Sequence, residues 1–351
     1  MVVLVTPGFP ATETDDTCIP PLQLLVKNLA QKGIPLAVIA LEYPFQSEPY
    51  LWHGVQVFPC NGQNRLYLRW RTRWRARAAF RTLARTHTIT GVHSFWLGLA
   101  WSIGKMLAGS SLPHATTLMG QDVLHRVNGR WLHRIKNNPA GHFVALSAFH
   151  AAEFTRETGL TARTVIPWGT EDTQSAAAEN LKRPIDILGV GSFLPVKNWA
   201  QWLQVVQLVK FERPDVRAVL VGDGPEKERL YQICHELDLG KNVEFTGTIP
   251  RSAVLELMRQ TKVYFHTAHF ESFGFVFAEA LANGCAVVST PVGIAPELGT
   301  TEKNIDALKT LIINKINEPF VPTQDKRLVI SGTTAAYLKF WHDIGSISSS
   351  V

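Results

Sequence analysis

Glu271 and Glu279 bracket the stretch best equipped for chemistry: Glu271-Ser272-Phe273-Gly274, seven residues between the two acids, then Gly284 and Pro291. The apolar run at 263–267 predicts a buried strand, 268–274 the loop at its carboxyl end, and a helix from about Phe275. Backbone N–H groups at Ser272, Phe273 and Gly274 then point out of a helix N-terminus, where phosphate oxygens can be held without a side chain. Gly274 lets the backbone approach such a ligand closely. Glu271 precedes the helix and reaches past the phosphates. Glu279, one turn inside, is placed to accept hydrogen bonds from a ribose diol.

A second group follows the predicted strand 185–190. It reads Gly191-Ser192-Phe-Leu-Pro-Val-Lys197-Asn198, and puts the Lys197 ammonium at the mouth of a helix, suited to a diphosphate. Val221-Gly222-Asp223-Gly224-Pro225 ends another strand in a sharp turn, and Phe245-Thr-Gly247 ends a third. Backbone contacts to a nucleotide are expected at Gly222 and Gly247.

The elements that must carry these residues alternate. Strands are predicted at 2–6, 37–41, 55–58, 91–93, 115–119, 143–146 and 164–166, then at 185–190, 217–221, 242–246, 263–267 and 285–289. Helices are predicted at 21–31, 69–86, 148–158, 199–212, 227–237, 252–259 and 275–283. Alternating β and α with near-continuous apolar strands predicts α/β architecture with parallel, doubly wound sheets. A length of 351 residues suggests two domains. We place them at 1–172 and 185–333, joined by a polar linker at 173–184, as two Rossmann-like domains facing across a cleft. Ligands of open α/β sheets bind outside the carboxyl ends of the strands, so the cleft is expected to hold the chemistry.

The segment from Glu271 to Glu297 resembles the nucleotide-sugar signature of family 4 of the retaining glycosyltransferases, which have the GT-B fold. The resemblance runs from about Ile185 to Glu297. It implies that Glu271 contacts the donor sugar near its reacting end and that Glu279 holds the ribose hydroxyls, with Glu271 and Lys197 as the catalytic pair. It further implies donor contacts at Ser272, Phe273, Gly274, Gly191, Ser192, Gly222 and Gly247. In the first half the match is looser. Thr6-Pro7-Gly8 follows the first strand, where the family places a flexible loop. Thr117-Leu118-Met119-Gly120-Gln121-Asp122 resembles a strand-end motif, which gives Gly8, Met119, Gly120 and Asp122 as cleft residues. Three departures stand out. Met119 occupies the place of a His that lies beside the reacting sugar, with His93 and His114 the nearest substitutes in sequence. Ser192 replaces a frequent arginine, and Asn198 a glycine. A helix at 334–346, with Tyr337, Phe340 and Trp341 at helical spacing, is expected to return to the first domain.

The resemblance implies a retaining hexosyltransferase that takes sugar from a nucleotide-diphosphate donor. Its acceptor is a glycan or lipid-linked molecule of cell-surface polysaccharide or glycolipid synthesis. Two other readings fit the same motifs: a catalytically weak nucleotide-sugar-binding protein and a nucleotide-sugar epimerase. No Asp-x-Asp occurs, so phosphate charge is expected to be met by Lys197 and helix N-termini, with no metal and no cofactor. The net charge of +6 is uneven, because residues 1–172 hold 17 Lys and Arg against 10 Asp and Glu. Eight arginines between Arg65 and Arg85 alternate with Leu66, Tyr67, Trp70 and Trp74. Trp beside Arg suits an anionic membrane surface, although the same pattern fits a solvated helix burying two tryptophans. No nucleic-acid-binding module is recognisable. Four widely spaced cysteines read as reduced thiols. The N-terminus reads as a strand, and the longest apolar stretch, 95–108, is too short to span a bilayer. The expected location is cytoplasmic, at most peripheral at the inner face of the membrane.

Overall fold

Uninterrupted runs of Val, Ile, Leu and Ala become parallel strands covered on both faces. The computed structural model describes residues 1–15, 18–137, 141–171, 182–319 and 325–347. Of the expected linker at 173–184, residues 173–181 lie outside these. Packing divides the chain into two units, residues 1–171 with 329–351, and residues 172–328.

The first unit contains β1 (Val2–Gly8), β2 (Leu36–Tyr43), β3 (Tyr50–Trp52), β4 (Val55–Pro59), β5 (Gly91–Phe95), β6 (His114–Thr117), β7 (His142–Ala145) and β8 (Thr164–Val165). Their order in one sheet is β3-β4-β2-β1-β5-β6-β7-β8. The sheet is not wholly parallel: β3 runs antiparallel to β4, joined to it by the tight turn at His53-Gly54. Helices α1 (Pro20–Gln31), α2 (Arg69–Thr86), α3 (Leu99–Ala108), α4 (His125–Lys136) and α5 (Ala148–Thr158) belong to this unit. Val3, Val5, Ile39 and Val92 meet Ala76, Leu83 and Ile103 in its core.

The second unit carries β9 (Ile185–Val190), β10 (Ala218–Val221), β11 (Val243–Gly247), β12 (Thr261–His266) and β13 (Ala286–Ser289) in the all-parallel order β11-β10-β9-β12-β13. Helices α6 (Trp199–Glu212), α7 (Lys227–Glu236), α8 (Arg251–Arg259), α9 (Phe275–Ala282) and α10 (Ile305–Asn317) accompany it. Ile187, Leu220, Val263 and Phe265 pack with Trp199 and Trp202 at its centre. The chain then returns to the first unit as α11 (Ile330–Asp343).

Several expectations are corrected. Pro7 and Gly8 do not follow the first strand but end it, because Gly8 still pairs with Tyr43 after a register shift. The strand expected at 115–119 stops at Thr117, since the chain turns at Met119 into a 3₁₀ segment, Gly120–Val123. The last helix starts earlier and ends earlier than 334–346. Val329 pairs with Thr170 in a bridge, and the helix begins at the next residue. Within the first unit, the Tyr337 hydroxyl lies 2.9 Å from Thr117 Oγ1, and Trp341 Nε1 donates to His93 Nδ1 at 2.9 Å.

Candidate donor site in the second unit

The short segment between β9 and α6 delivers Lys197. Pro195–Lys197 form one 3₁₀ turn, and Asn198 caps α6 in the left-handed region at φ 51°. The end of β12 braces this turn. Thr267 Oγ1 donates to the carbonyls of Lys197 (3.2 Å) and Asn198 (2.9 Å), and the His269 N–H donates to the Val196 carbonyl (2.8 Å). Two loops from neighbouring strands are thereby fixed against each other at the carboxyl edge of the sheet, where ligands of open α/β sheets bind.

Lys197 and Glu271 meet there. Lys197 Nζ donates to Glu271 Oε1 in a tight ion pair, and His266 Nε2 lies 3.1 Å from the same oxygen. A carboxylate oxygen only accepts, so Nε2 carries the imidazole proton. His266 Nδ1 is then the acceptor for the Tyr264 hydroxyl at 3.1 Å, a hydroxyl that also lies 3.3 Å from the Val190 carbonyl. His266 and Tyr264 are fully buried. Burial lowers the His266 value, and the bond to Glu271 offsets part of that, so the ring is neutral. Burial by itself would raise Glu271. The Lys197 ammonium and the His266 N–H outweigh it and hold the carboxyl at about 2. Burial pushes the Tyr264 hydroxyl well above its ordinary value, with the charges of Glu271 and Glu279 adding to the effect.

Glu279 is 8% exposed and sits inside α9. Its Oε1 accepts from Arg251 Nε at 2.7 Å, which ties the first residue of α8 to α9. Ser272 and Phe273 are buried ahead of α9, and Gly274 caps the helix at φ 79°. A Cβ on Gly274 would come within 2.5 Å of the Phe277 ring, so the turn needs glycine for both conformation and space. Gly191, Gly222 and Gly247 end three adjacent strands. The Gly191 N–H donates to the Val221 carbonyl and the Gly222 N–H to the Gly247 carbonyl, both at 3.0 Å. A Cβ on Gly222 would stand 2.0 Å from the Gly191 carbonyl oxygen. Ser192 is exposed, and its carbonyl accepts from Trp199 Nε1 at 3.0 Å.

The remaining candidates lie in the first unit. Gly8 is buried on β1, where a Cβ would meet Cys18 Sγ at 3.2 Å. Asp122 Oδ2 accepts the N–H groups of Leu97 (2.7 Å) and Met119 (3.1 Å), so the carboxyl pins the turns after β5 and β6. Burial pushes it up to about 8, with the two N–H bonds opposing. The Met119 side chain is 6% exposed, and Gly120 turns at φ 56°. The two histidines expected as substitutes for Met119, His93 and His114, are both buried. His93 is held between Thr117 and Trp341, His114 against Ser94 at 3.0 Å, and burial lowers them to about 3 and about 4.

Two residues of this site escaped the sequence reading. His266 looked like one more position of a buried strand; a polar ring among Val263, Tyr264 and Phe265 was the available signal. Arg251 stood 28 positions from Glu279, with no signal beyond its place at a helix start.

Residues 171–316 match the family described as Glycosyl transferases group 1, and residues 22–174 match Glycosyltransferase Family 4. The GPI3 subunit of phosphatidylinositol N-acetylglucosaminyltransferase from Saccharomyces cerevisiae is 25% identical over 49% of this chain. N-acetyl-alpha-D-glucosaminyl L-malate synthase from Bacillus anthracis is 31% identical over 32% of it. These matches cover only 37% and 29% of the two relatives' own lengths. The fold of Anabaena Alr3699/HepE, solved in complex with UDP and glucose, superposes with a TM-score of 0.66 at 20% identity, over 97% of this chain and 95% of that one.

Proposed function

The chain belongs to family 4 of the glycosyltransferases, with the GT-B fold, and on that footing we propose that it transfers a sugar from a nucleoside-diphosphate donor with retention of anomeric configuration. The observation that supports this reading best is the contact between Lys197 and Glu271 at the converging ends of β9 and β12. As the bond from the anomeric carbon to the diphosphate oxygen breaks and that to the acceptor oxygen forms, the acceptor hydroxyl passes its proton to a departing diphosphate oxygen, and negative charge builds on the leaving group. Lys197 and the amides of Ser272, Phe273 and Gly274 offset that charge, with no metal required. Glu271, ionised at working pH, accepts hydrogen bonds from sugar hydroxyls and orients the ring. Glu279, oriented by Arg251, accepts from the ribose.

UDP-N-acetylglucosamine is the first donor to test, since both relatives are named for N-acetylglucosaminyl transfer or its product and HepE was solved with UDP. A glycan or lipid-linked hydroxyl is the acceptor class, and the yeast relative's name makes an inositol phospholipid worth including. A thermal-shift panel of UDP, GDP, ADP and their sugars tests the donor reading. A bound donor raises Tm with the logarithm of its concentration. We expect the UDP series to do so and Lys197→Met to shrink the shift at every concentration. No shift with any sugar nucleotide at millimolar concentration would refute the proposal.

A further inference from the structure

Helix α2 turns a stripe of mostly small side chains, Thr72, Ala76, Ala79 and Leu83, toward the protein. This brings the helix close to β2 and sends its large residues outward. Trp70 is 72% exposed and Trp74 64%, and Leu66 and Tyr67 stand exposed in the turn before them. The tryptophans are therefore not core residues. At three- and four-residue spacing, Trp70, Trp74, Arg77 and Arg81 share one face.

Three arginines on α2 are used internally. Arg71 donates to the Asn61 carbonyl (3.0 Å), Arg75 to the Cys60 carbonyl (3.2 Å) and Arg73 to Ser102 Oγ (2.9 Å). The arginine ion pairs of the protein lie elsewhere, at Arg156, Arg217, Arg229, Arg251, Arg259 and Arg327; among the described residues none involves α2. Helix α4 brings a further cation, Arg134, near Arg73. Trp131 on α4 packs edge-on against Trp101 of α3 at 6.3 Å, and the Arg134 guanidinium lies 5.0 Å from the Trp131 ring. Burial, and then the positive charges of Arg134, Arg77 and Arg69, lower the Arg73 value, so the cations of α2 and α4 confront one another. A shallow recess of about 350 Å³ between α3 and α4 is lined by Lys105, His133, Arg134 and Trp131.

Glu42 lies near Arg69 at the start of α2; the cations beyond it have no carboxylate in ion-pair contact among the described residues and call for an external anion. Exposed indoles beside them call for a boundary between water and hydrocarbon. We propose that α2, with the adjoining end of α4, docks this protein on an anionic phospholipid surface, indoles in the headgroup layer and guanidinium groups on the phosphates. Leu66 and the paired tryptophans favour lipid over nucleic acid, which would reward the arginines but leave Leu66 in water. This inference stands apart from the sugar-nucleotide reading.

Vesicle sedimentation tests it, with phosphatidylcholine alone and with part of it replaced by phosphatidylglycerol. Wild type is expected to bind the anionic vesicles only, and less as salt rises. Arg77→Glu/Arg81→Glu should lower the partition coefficient at least about tenfold. Trp70→Ser/Trp74→Ser should lower it too, while binding to poly(U) RNA stays as in wild type. These side chains are exposed, so both variants should keep the wild-type Tm. Brominated acyl chains should quench wild-type tryptophan fluorescence, a readout that needs no variant. Failure to bind anionic vesicles, equal binding to neutral ones, absence of quenching, or a tryptophan variant that binds like wild type would each overturn the proposal.

Discussion

Lys197 and Glu271, 74 residues apart in sequence, close an ion pair where the loops after β9 and β12 meet. A pyrophosphate is an alternative partner for that ammonium. On the proposed reading a pyrophosphate takes Lys197, and the His266 N–H, 3.1 Å from Oε1, is left to hold Glu271.

Lys197→Met should therefore weaken UDP binding by about 10- to 100-fold, the range for a charge-assisted hydrogen bond to phosphate. Isothermal titration calorimetry reads this directly, and Lys197→Arg should recover part of the loss. Equal affinities for wild type and the Met variant would remove Lys197 from the phosphate site.

The same pair makes an acid-stability prediction. The Glu271 carboxyl is held at about 2 against an ordinary value of 4.5. A depressed carboxylate stabilises the fold above its unfolded value and loses that contribution as pH falls through its folded value. The loss should thus run from about pH 4.5 down to about 2. In Lys197→Met burial is no longer countered by the ammonium, so acid unfolding followed by circular dichroism should begin at a higher pH than in wild type. Coincident acid transitions would contradict this.

On the proposed reading His266, bonded to Glu271, is a positioning residue. His266→Leu should lower kcat by about 10- to 100-fold with little change in UDP affinity, because it removes a hydrogen bond to a charged group without touching the phosphates. His266→Asn keeps an N–H donor and should restore much of the rate. If Leu and Asn behaved alike, the hydrogen bond would not be what matters.

Glu279 can be separated from Glu271 by the sugar of the nucleotide itself. Wild type should prefer UDP over 2′-deoxy-UDP by about tenfold, and Glu279→Ala should erase most of that preference. Competition binding with the two nucleotides measures it. A preference that survives Glu279→Ala would place the ribose elsewhere.

Much of this was legible before folding, for reasons that can be named. Ile185–Val190, Arg69–Thr86, Ala148–Thr158 and Trp199–Glu212 form at the predicted bounds, because apolar continuity or a clear helical period marks each of them. Leu99–Ala108 and His125–Lys136 are missing from the expected helices although both are amphipathic; Gly104 in the first, and Gly129 with the kink at Asn128 in the second, weaken their helix-forming signal. Whether Trp70 and Trp74 were core or surface was open in the sequence. It was decided by which stripe of α2 packs, and small side chains won because they let the helix come close to β2. Glu271, Glu279 and Lys197 were visible as motifs, whereas His266 and Arg251 gain their meaning only from partners that the fold brings near.

A crystal structure with UDP bound is the most direct measurement. The account predicts phosphate oxygens within hydrogen-bonding distance of Lys197 Nζ and the amides at 272–274, with the ribose hydroxyls on Glu279. A nucleotide bound away from the ends of β9 and β12, or a Glu279 carboxylate that does not face the ribose, would contradict it.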